Sequence, residues 1–294
     1  MSIQNDIDKV DLQSEKSSRP LIRDDGKRLD GRALDELRPV TMKVGVLPQA
    51  NGSAYITHGN NKILVAVYGP RELHPRHLIQ VNKTRIRVEY RLATFSVGER
   101  KSPAPRRREH ELSKVIQEAV EPSVFTERFP RSGIDIYIQV LDADGGTRAA
   151  SITAASLAIA DAGIPLRGLV ASVAAGKAGG KVVLDLYDVE DKEGEADLPI
   201  AILSQNKEIT LCQMDGNMSR DEIAEAFDLA MKGCEKLHQM QREALLQKYK
   251  NITVQASQGY DNNEEEETQE DSNIEEPIEE DNDFNEDSEG ELNN

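Results

Sequence analysis

The sequence predicts an α+β fold of two similar units, each a mixed, mainly antiparallel sheet packed with helices. The first observation is that short apolar or alternating segments are separated by Gly and Asn turns, which is typical of antiparallel strands. The second is that each group of strands is followed by a helical pattern of apolar residues. Because strands followed by helices occur in both halves, we expect two such units in one body.

The first unit is expected at residues 26–165, after a polar and flexible lead at residues 1–25. It begins with Arg28-Leu-Asp-Gly-Arg32, in which Asp30 is expected to pair locally with both arginines. Three antiparallel strands follow, and Gly69-Pro-Arg-Glu72 is expected to end them. Their predicted bounds are residues 41–46, 53–58 and 62–68.

The centre of the chain has the pattern strand, glycine turn, helix. Residues 134–141 are β-branched and apolar, and residues 149–162 are small and apolar at helical spacing. Between them, Gly145-Gly146 lets the backbone approach an anion closely, and a helix N-terminus directs free N–H groups at it. The hydroxyl of Thr147 and the guanidinium of Arg148 suit phosphate oxygens. The pattern predicts a phosphate site, although such turns also serve packing alone.

The second unit is expected at residues 166–250. Its predicted strands cover residues 169–176, 181–186, 196–203 and 208–214. A capping box at Ser219-Arg-Asp-Glu222 opens a helix that is expected to end near Lys250.

An acidic segment lies between the second and third of these strands. Asp191 and Asp197 are six residues apart across a turn at Gly194, so their carboxyls can converge. Oxygen ligands of this kind suit Mg²⁺ or Mn²⁺ beside a phosphate, and one carboxyl could instead give a proton to a leaving oxygen. The alternative is a solvated acidic hairpin.

Two basic segments suggest an anionic partner. The loop Leu73-His-Pro-Arg-His77 could contact RNA phosphates and bases, or be a plain surface loop. Arg106, Arg107 and Arg108 fall in the first turn of a predicted helix, where the helix dipole disfavours cations. Their placement favours a bound anion over a purely solvated face.

The formal net charge is −17, but it is concentrated at one end of the chain. Of the 53 acidic residues, 17 lie between Asp261 and Glu291, which leaves 36 to balance the 36 Lys and Arg. A nucleic-acid partner for the folded part is therefore not excluded. Residues 251–294 are expected to be a disordered acidic tail, either solubilising or a contact for a basic partner.

Cysteine usage and hydropathy favour a soluble, cytoplasmic protein. Cys212 and Cys234 lack metal-ligand spacing and are expected to be reduced core residues. No apolar run approaches membrane-spanning length, and the first twenty residues lack the apolar segment of a signal peptide.

Several motifs, in this order, resemble the RNase PH family, and more closely the catalytic RNase PH-like subunits of the archaeal exosome. The resemblance covers about residues 26–249, and it implies an RNase PH-like fold. The motifs are Arg28-Leu-Asp-Gly-Arg32, Gly69-Pro-Arg-Glu72, Arg106-Arg-Arg-Glu109, Asp144-Gly-Gly-Thr-Arg148, Ala160-Asp-Ala-Gly-Ile164 and Glu195-Ala-Asp197.

The resemblance implies processive 3′-to-5′ phosphorolysis of RNA, in which inorganic phosphate is the co-substrate and nucleoside 5′-diphosphates are released. It also implies a hexameric ring of three heterodimers with a non-catalytic RNase PH-like paralogue, capped by RNA-binding subunits. A divalent ion, Mg²⁺ or Mn²⁺, is expected beside the carboxylates.

The resemblance also assigns roles to residues. Phosphate binding falls to Gly146, Thr147 and Arg148, and binding of the RNA 3′ end to Arg107 and Arg108. Asp191 is expected to donate the proton and Asp197 to act through a metal ion, although the two roles could be exchanged. The remaining RNA contacts are expected from the loop that carries Arg71, His74 and Arg76.

Two rival interpretations remain open. A ring scaffold that binds RNA without catalysis would be expected to lack the glycine turn or the paired carboxylates, and this chain has both. A stand-alone RNase PH that trims tRNA is disfavoured by the loop at residues 73–77. A hydrolase would need a base to activate water, and no histidine is obviously placed for that role.

Overall fold

The computed structural model describes residues 20–270, with side chains through residue 250. One compact unit extends to Lys248, and a second begins at Tyr249. The predicted lead at residues 1–25 lies mostly outside the described residues, as does the tail beyond residue 270.

Five strands form the first sheet, in the order β1-β2-β3-β5-β4. Neighbouring strands are antiparallel except β4 and β5, which are parallel, so the sheet is mixed as predicted. The strands are β1 (Val40–Val44), β2 (Gly52–His58), β3 (Asn61–Glu72), β4 (Arg85–Leu92) and β5 (Ser132–Asp142).

The prediction that Gly69-Pro-Arg-Glu72 ends the third strand is wrong, since β3 continues through Glu72. The register against β5 shifts between Tyr68 and Arg71, with Pro70 inside the irregularity. A proline is tolerated there because its missing N–H does not interrupt a regular ladder.

Two helices pack on the first sheet, and the hydrophobic core lies between them and the sheet. They are α1 (Arg107–Val120) and α2 (Thr147–Asp161). α1 begins where the prolines at 103 and 105 stop blocking a helix, and it buries the apolar stripe Leu112, Ile116 and Ala119. α2 is buried around nearly its whole surface because it contacts strands of both sheets.

The second sheet follows the order β10-β8-β6-β7, with β9 paired to β8. Its elements are β6 (Val170–Ala178), β7 (Lys181–Leu184), the short helix α3 (Asp188–Glu193), β8 (Ala196–Leu203), β9 (Glu208–Cys212) and β10 (Asp215–Gly216). The alternative interpretation of this segment as an acidic hairpin is therefore wrong, because the segment forms a helix of six residues followed by a strand. Its acidic side chains satisfy the helix N-terminus, where negative charge is favoured.

The last helix, α4 (Arg220–Glu270), begins at the predicted capping box. Ser219 Oγ accepts the N–H of Glu222, whose carboxylate accepts the N–H of Ser219. Its apolar face packs on the second sheet through Ala226, Ala230 and Leu237. The helix continues twenty residues past the predicted end at Lys250, in a stretch without proline between Pro199 and Pro277.

Two predictions from composition have separate outcomes. Cys234 is buried in the core as predicted, but Cys212 is exposed because it lies on the edge strand β9. Between residues 20 and 270, no helix is both long and apolar enough to cross a membrane.

Candidate active site

The glycine turn (Asp144–Arg148) connects β5 to α2. Gly145 and Gly146 both have positive φ, at 69° and 67°, where an L side chain is strained. A Cβ at Gly145 would lie 2.6 Å from the carbonyl carbon of Tyr187, so only glycine fits there. The first N–H groups of α2 have no partner within the helix and are available to an anion.

The side chain of Asn61, fully buried at the start of β3, fixes the glycine turn. Its amide nitrogen donates to the Gly145 carbonyl at 2.6 Å, and its oxygen accepts the N–H of Asp144 at 2.6 Å. Both bonds hold the backbone of the turn. The sequence analysis missed Asn61, because an Asn-Asn turn between strands has an ordinary local explanation.

The two side chains that follow the glycines are also fixed. Thr147 Oγ1 accepts a hydrogen bond from the hydroxyl of Tyr90, on β4. Arg148 Nη1 donates to Oε1 of Gln213 at 2.5 Å, and Arg148 Nε is buried without a partner among the described residues. A buried guanidinium N–H left without an acceptor is consistent with a ligand that supplies one.

The turn opens onto a cleft of about 780 Å³ between α1, the start of α2, α3 and β8. Six of the predicted site residues line this cleft. They are Arg108, Gly146, Thr147, Arg148, Asp191 and Asp197.

The two predicted carboxylates reach the cleft from different elements. Asp191 lies on α3 and Asp197 on β8, and Gly194 ends the helix between them. A Cβ at Gly194 would meet the Glu190 carbonyl oxygen at 2.3 Å, so this sharp connection requires glycine. Asp215, on β10, lies directly opposite Asp197 in the strand register and adds a third acidic residue to the lining.

Both carboxyls hold protons more strongly than ordinary aspartates. The cleft walls remove part of the hydration of Asp191 and raise its pKa, although Arg108 and Arg148 oppose this. Burial raises the pKa of Asp197 to about 6, helped by the negative charge of Asp191. A carboxyl with such a pKa can act as an acid near neutral pH.

A fully buried ion pair anchors α3. Arg28 donates to both carboxylate oxygens of Glu190 and to the carbonyl of Asp185 at 2.8 Å. Arg32 makes the predicted local pair with Asp30, at 2.5 Å. The expectation that Arg28 also pairs with Asp30 is wrong, because Arg28 points inward to a carboxylate 162 residues away.

Two carboxylates alone would be an incomplete metal site. Within residues 20–250, no three His, Cys, Asp or Glu side chains are arranged to hold a metal ion. However, Asp197 Oδ1 is buried and has no hydrogen-bond partner among these residues. Mg²⁺ commonly takes one or two carboxylates and completes its coordination with substrate phosphates and water, so this donor set fits such an ion.

The other predicted RNA-binding residues lie outside the cleft lining. The Arg107 side chain is 93% exposed, and its nearest acidic oxygen is on Glu111 at 3.8 Å. Arg71 is bonded to Asp135 at 2.5 Å, with its guanidinium over the ring of Tyr68. Arg76 and His74 are exposed on their loop.

A helix N-terminus, the guanidinium groups of Arg108 and Arg148 and two carboxyls with raised pKa values surround one cleft, an arrangement whose charges and donors suit a phosphate ligand. The sequence matches the 3′ exoribonuclease (RNase PH) family, with domain 1 over residues 36–165 and domain 2 over residues 168–233. The chain belongs to this family, which confirms the resemblance drawn from the motifs.

Curated relatives agree with this assignment. Exosome complex component Rrp41 of Thermococcus onnurineus is 57% identical over 239 residues, covering 81% of this chain and 96% of that protein. The protein of the same name from Methanopyrus kandleri is 54% identical over 235 residues, covering 80% of this chain and 98% of that protein.

A solved structure shows the same fold. A chain of the Archaeoglobus fulgidus exosome, determined with RNA bound to the active site, superposes with a TM-score of 0.65 at 24% identity, covering 73% of this chain and 92% of that chain.

Proposed function

We propose that the cleft is the active centre of a phosphorolytic 3′-to-5′ exoribonuclease. Inorganic phosphate attacks the terminal phosphodiester of RNA and releases a nucleoside 5′-diphosphate. The observation that carries the proposal is that one cleft brings together the glycine turn, Arg108 and the pair Asp191 and Asp197.

The cationic side of the cleft addresses the main physical difficulty of this reaction. The attacking phosphate and the RNA phosphate are both anions and must approach each other closely. Arg108 and Arg148 reduce their repulsion and stabilise charge that develops in the transition state. In this arrangement Gly146, Thr147 and Arg148 bind the attacking phosphate, and Arg108 binds the RNA backbone at its 3′ end.

The carboxyl pair is proposed to protonate the leaving group. As the new P–O bond forms, the bond to the 3′-oxygen of the shortened RNA breaks, and that oxygen takes up a proton. Asp191 is our proposed donor and Asp197 its support, and the raised pKa of both residues supports holding a proton in this pair. A Mg²⁺ or Mn²⁺ ion held by the same two residues would supply further charge neutralisation at the phosphates.

Outside the cleft, the exposed basic residues are proposed to guide RNA. Arg107, Arg71, His74 and Arg76 would bind the strand before its 3′ end reaches the cleft. Since the curated relatives are named as components of the exosome complex, we also propose that this chain works in the cytoplasm in a hexameric ring with a non-catalytic paralogue and RNA-binding caps.

The test is an RNA decay assay on the full chain, alone and with its paralogue, in phosphate and in phosphate-free buffer. Wild type is compared with Asp191→Asn and with the control Asp188→Asn, which removes a partly exposed carboxylate three residues away on α3 that pairs with Lys192. We expect nucleoside diphosphates only with phosphate, loss of at least about 100-fold for Asp191→Asn, and near-normal activity for the control.

Three outcomes would contradict the proposal. Nucleoside monophosphates without phosphate would indicate a hydrolase. RNA binding without decay in any condition would indicate a scaffold. Full activity as a homohexamer without the paralogue would indicate a stand-alone enzyme.

A further inference from the structure

Arg38, just before β1, connects the glycine turn to a buried carboxylate. Its side chain donates to Asp185 through Nε at 3.0 Å and through Nη2 at 2.7 Å, and its backbone N–H donates to the same carboxylate at 2.7 Å. The guanidinium also donates to two backbone carbonyls of the turn, from Nη1 to Asp144 and from Nη2 to Gly145 at 3.3 Å. One buried side chain therefore ties the turn to Asp185.

The position of Asp185 costs free energy, because its carboxylate is buried and its backbone conformation is uncommon. It is fully buried, and its φ of 60° lies in the left-handed region, which residues other than Gly adopt infrequently and Asn and Asp more often than most. Its carboxylate also accepts from His58 Nε2 at 3.0 Å and Arg32 Nη1 at 3.3 Å. Burial alone would raise the pKa of Asp185, but the charges and hydrogen bonds of His58 and Arg38 hold it well below the usual range. Backbone strain of this kind often marks a functional region.

The hydrogen bonds from Arg38 to the two carbonyls also fix the direction of the N–H groups that follow these carbonyls. In a trans peptide the carbonyl of one residue and the N–H of the next point in opposite directions. Because the carbonyls of Asp144 and Gly145 point at Arg38, the N–H groups of Gly145 and Gly146 point away from it. Neither N–H has a hydrogen-bond partner within residues 20–250, and Gly146 lines the cleft whereas Arg38 does not.

We propose that Arg38 and Asp185 are positioning residues for phosphate, which set the backbone N–H groups of the glycine turn toward the attacking anion. This proposal rests on the proposed function, because it takes inorganic phosphate as the ligand of the turn. Neither residue lines the cleft, so both act through the turn's backbone.

The geometry requires an arginine at position 38. A planar fork of five N–H donors can bond a carboxylate on one side and two carbonyls on the other. A lysine keeps the positive charge that Asp185 needs, but its single ammonium cannot reach all three groups. Arg38→Lys therefore separates loss of positioning from loss of a buried charge.

The matched control is Arg32→Lys, because Arg32 also contacts the Asp185 carboxylate but makes no hydrogen bond to the glycine turn. Four quantities are measured on the full chain with its paralogue. They are the Kd of inorganic phosphate by calorimetry, the KM for phosphate, the Kd of RNA and the thermal midpoint.

For Arg38→Lys we expect phosphate Kd and KM to rise about five- to tenfold, as for the loss of one or two hydrogen bonds. RNA affinity should stay within about twofold, and Arg32→Lys should leave phosphate Kd within about twofold, because neither quantity depends on a hydrogen bond to the turn that the variant removes. The proposal is overturned if phosphate affinity is unchanged, if RNA affinity falls equally, or if both variants behave alike. A wild type that binds phosphate but does not consume it would defeat the proposed function alone, and a wild type that does not bind phosphate would defeat both.

Discussion

The hydroxyl of Tyr90 lies 3.0 Å from Thr147 Oγ1 and donates a hydrogen bond to it. Burial raises the pKa of Tyr90 to about 12, so the phenol stays protonated and acts as the donor at all ordinary pH values. With one of its two lone pairs occupied by the Tyr90 hydroxyl, the Thr147 hydroxyl can turn its own proton toward the cleft. In the proposed phosphate site, Tyr90 would therefore orient the Thr147 hydroxyl as a donor to phosphate.

Replacing Tyr90 by Phe should weaken phosphate binding. The variant removes one neutral hydrogen bond, worth about 1 kcal/mol, so KM for phosphate should rise about fivefold while kcat changes little. Steady-state rates at varied phosphate and saturating RNA measure this. The control Tyr55→Phe removes a hydroxyl on β2, and equal effects of the two variants would refute the argument.

The two arginines at the start of α1 should differ in effect. Arg108 lines the cleft and its charge acts on both Asp191 and Asp197, whereas Arg107 is almost fully exposed. We expect Arg108→Ala to lower kcat/KM by about 100-fold and Arg107→Ala by about tenfold or less, through weaker RNA binding. Decay rates at several salt concentrations measure both. A larger loss for Arg107→Ala would contradict the assignment.

The elements of the fold could be predicted because their signals are local. Alternation in residues 53–58 indicates β2, and the prolines before Arg107 fix the start of α1 within one residue. The short helix α3 was not predicted, because six residues rich in acidic side chains have no apolar repeat that would indicate a helix.

The sequence indicated the residues that line the cleft, but not the buried residues that hold them in place. The glycine turn can be predicted from its composition. Arg38, Asn61 and Glu190 do not, because each acts on a partner more than eighty residues away, and only the folded chain brings them together.

Breaking the ion pair between Arg28 and Glu190 should destabilise the fold. Both side chains are fully buried, so Glu190→Gln leaves an uncompensated guanidinium and should cost about 3 kcal/mol of unfolding free energy. Urea denaturation measures it. The control Glu118→Gln breaks an exposed pair with Lys114 and should cost less than about 1 kcal/mol. Similar losses in both would show that burial does not decide the effect.

Removal of residues 251–294 should leave phosphorolysis intact. These residues contain no Lys or Arg, and within residues 20–250 the residues that line the cleft lie between Arg108 and Gly216. RNA decay by the truncated and full chains, assembled with the paralogue, tests this. A loss of more than about tenfold, equal to about 1.4 kcal/mol, would show that the tail takes part in the reaction.

Ionisation of Asp197 should lower the unfolding free energy of the protein. Its pKa is about 6 in the folded chain and about 3.9 when unfolded, so the folded state binds the extra proton between these values. The unfolding free energy therefore falls as pH rises through this window, and the ionised carboxylate costs about 2 kcal/mol at pH 8 after allowance for partial exposure.

Asp197→Asn removes that cost together with the carboxylate. We expect urea denaturation to show a gain of about 2 kcal/mol at pH 8 and little change at pH 4, with activity at pH 8 reduced at least about 100-fold. The control Asp142→Asn, at an exposed site, should show no such pH-dependent gain. A variant that is less stable than wild type at pH 8 would mean that the ionised carboxylate is held by favourable contacts, and its proposed proton-holding environment would be wrong.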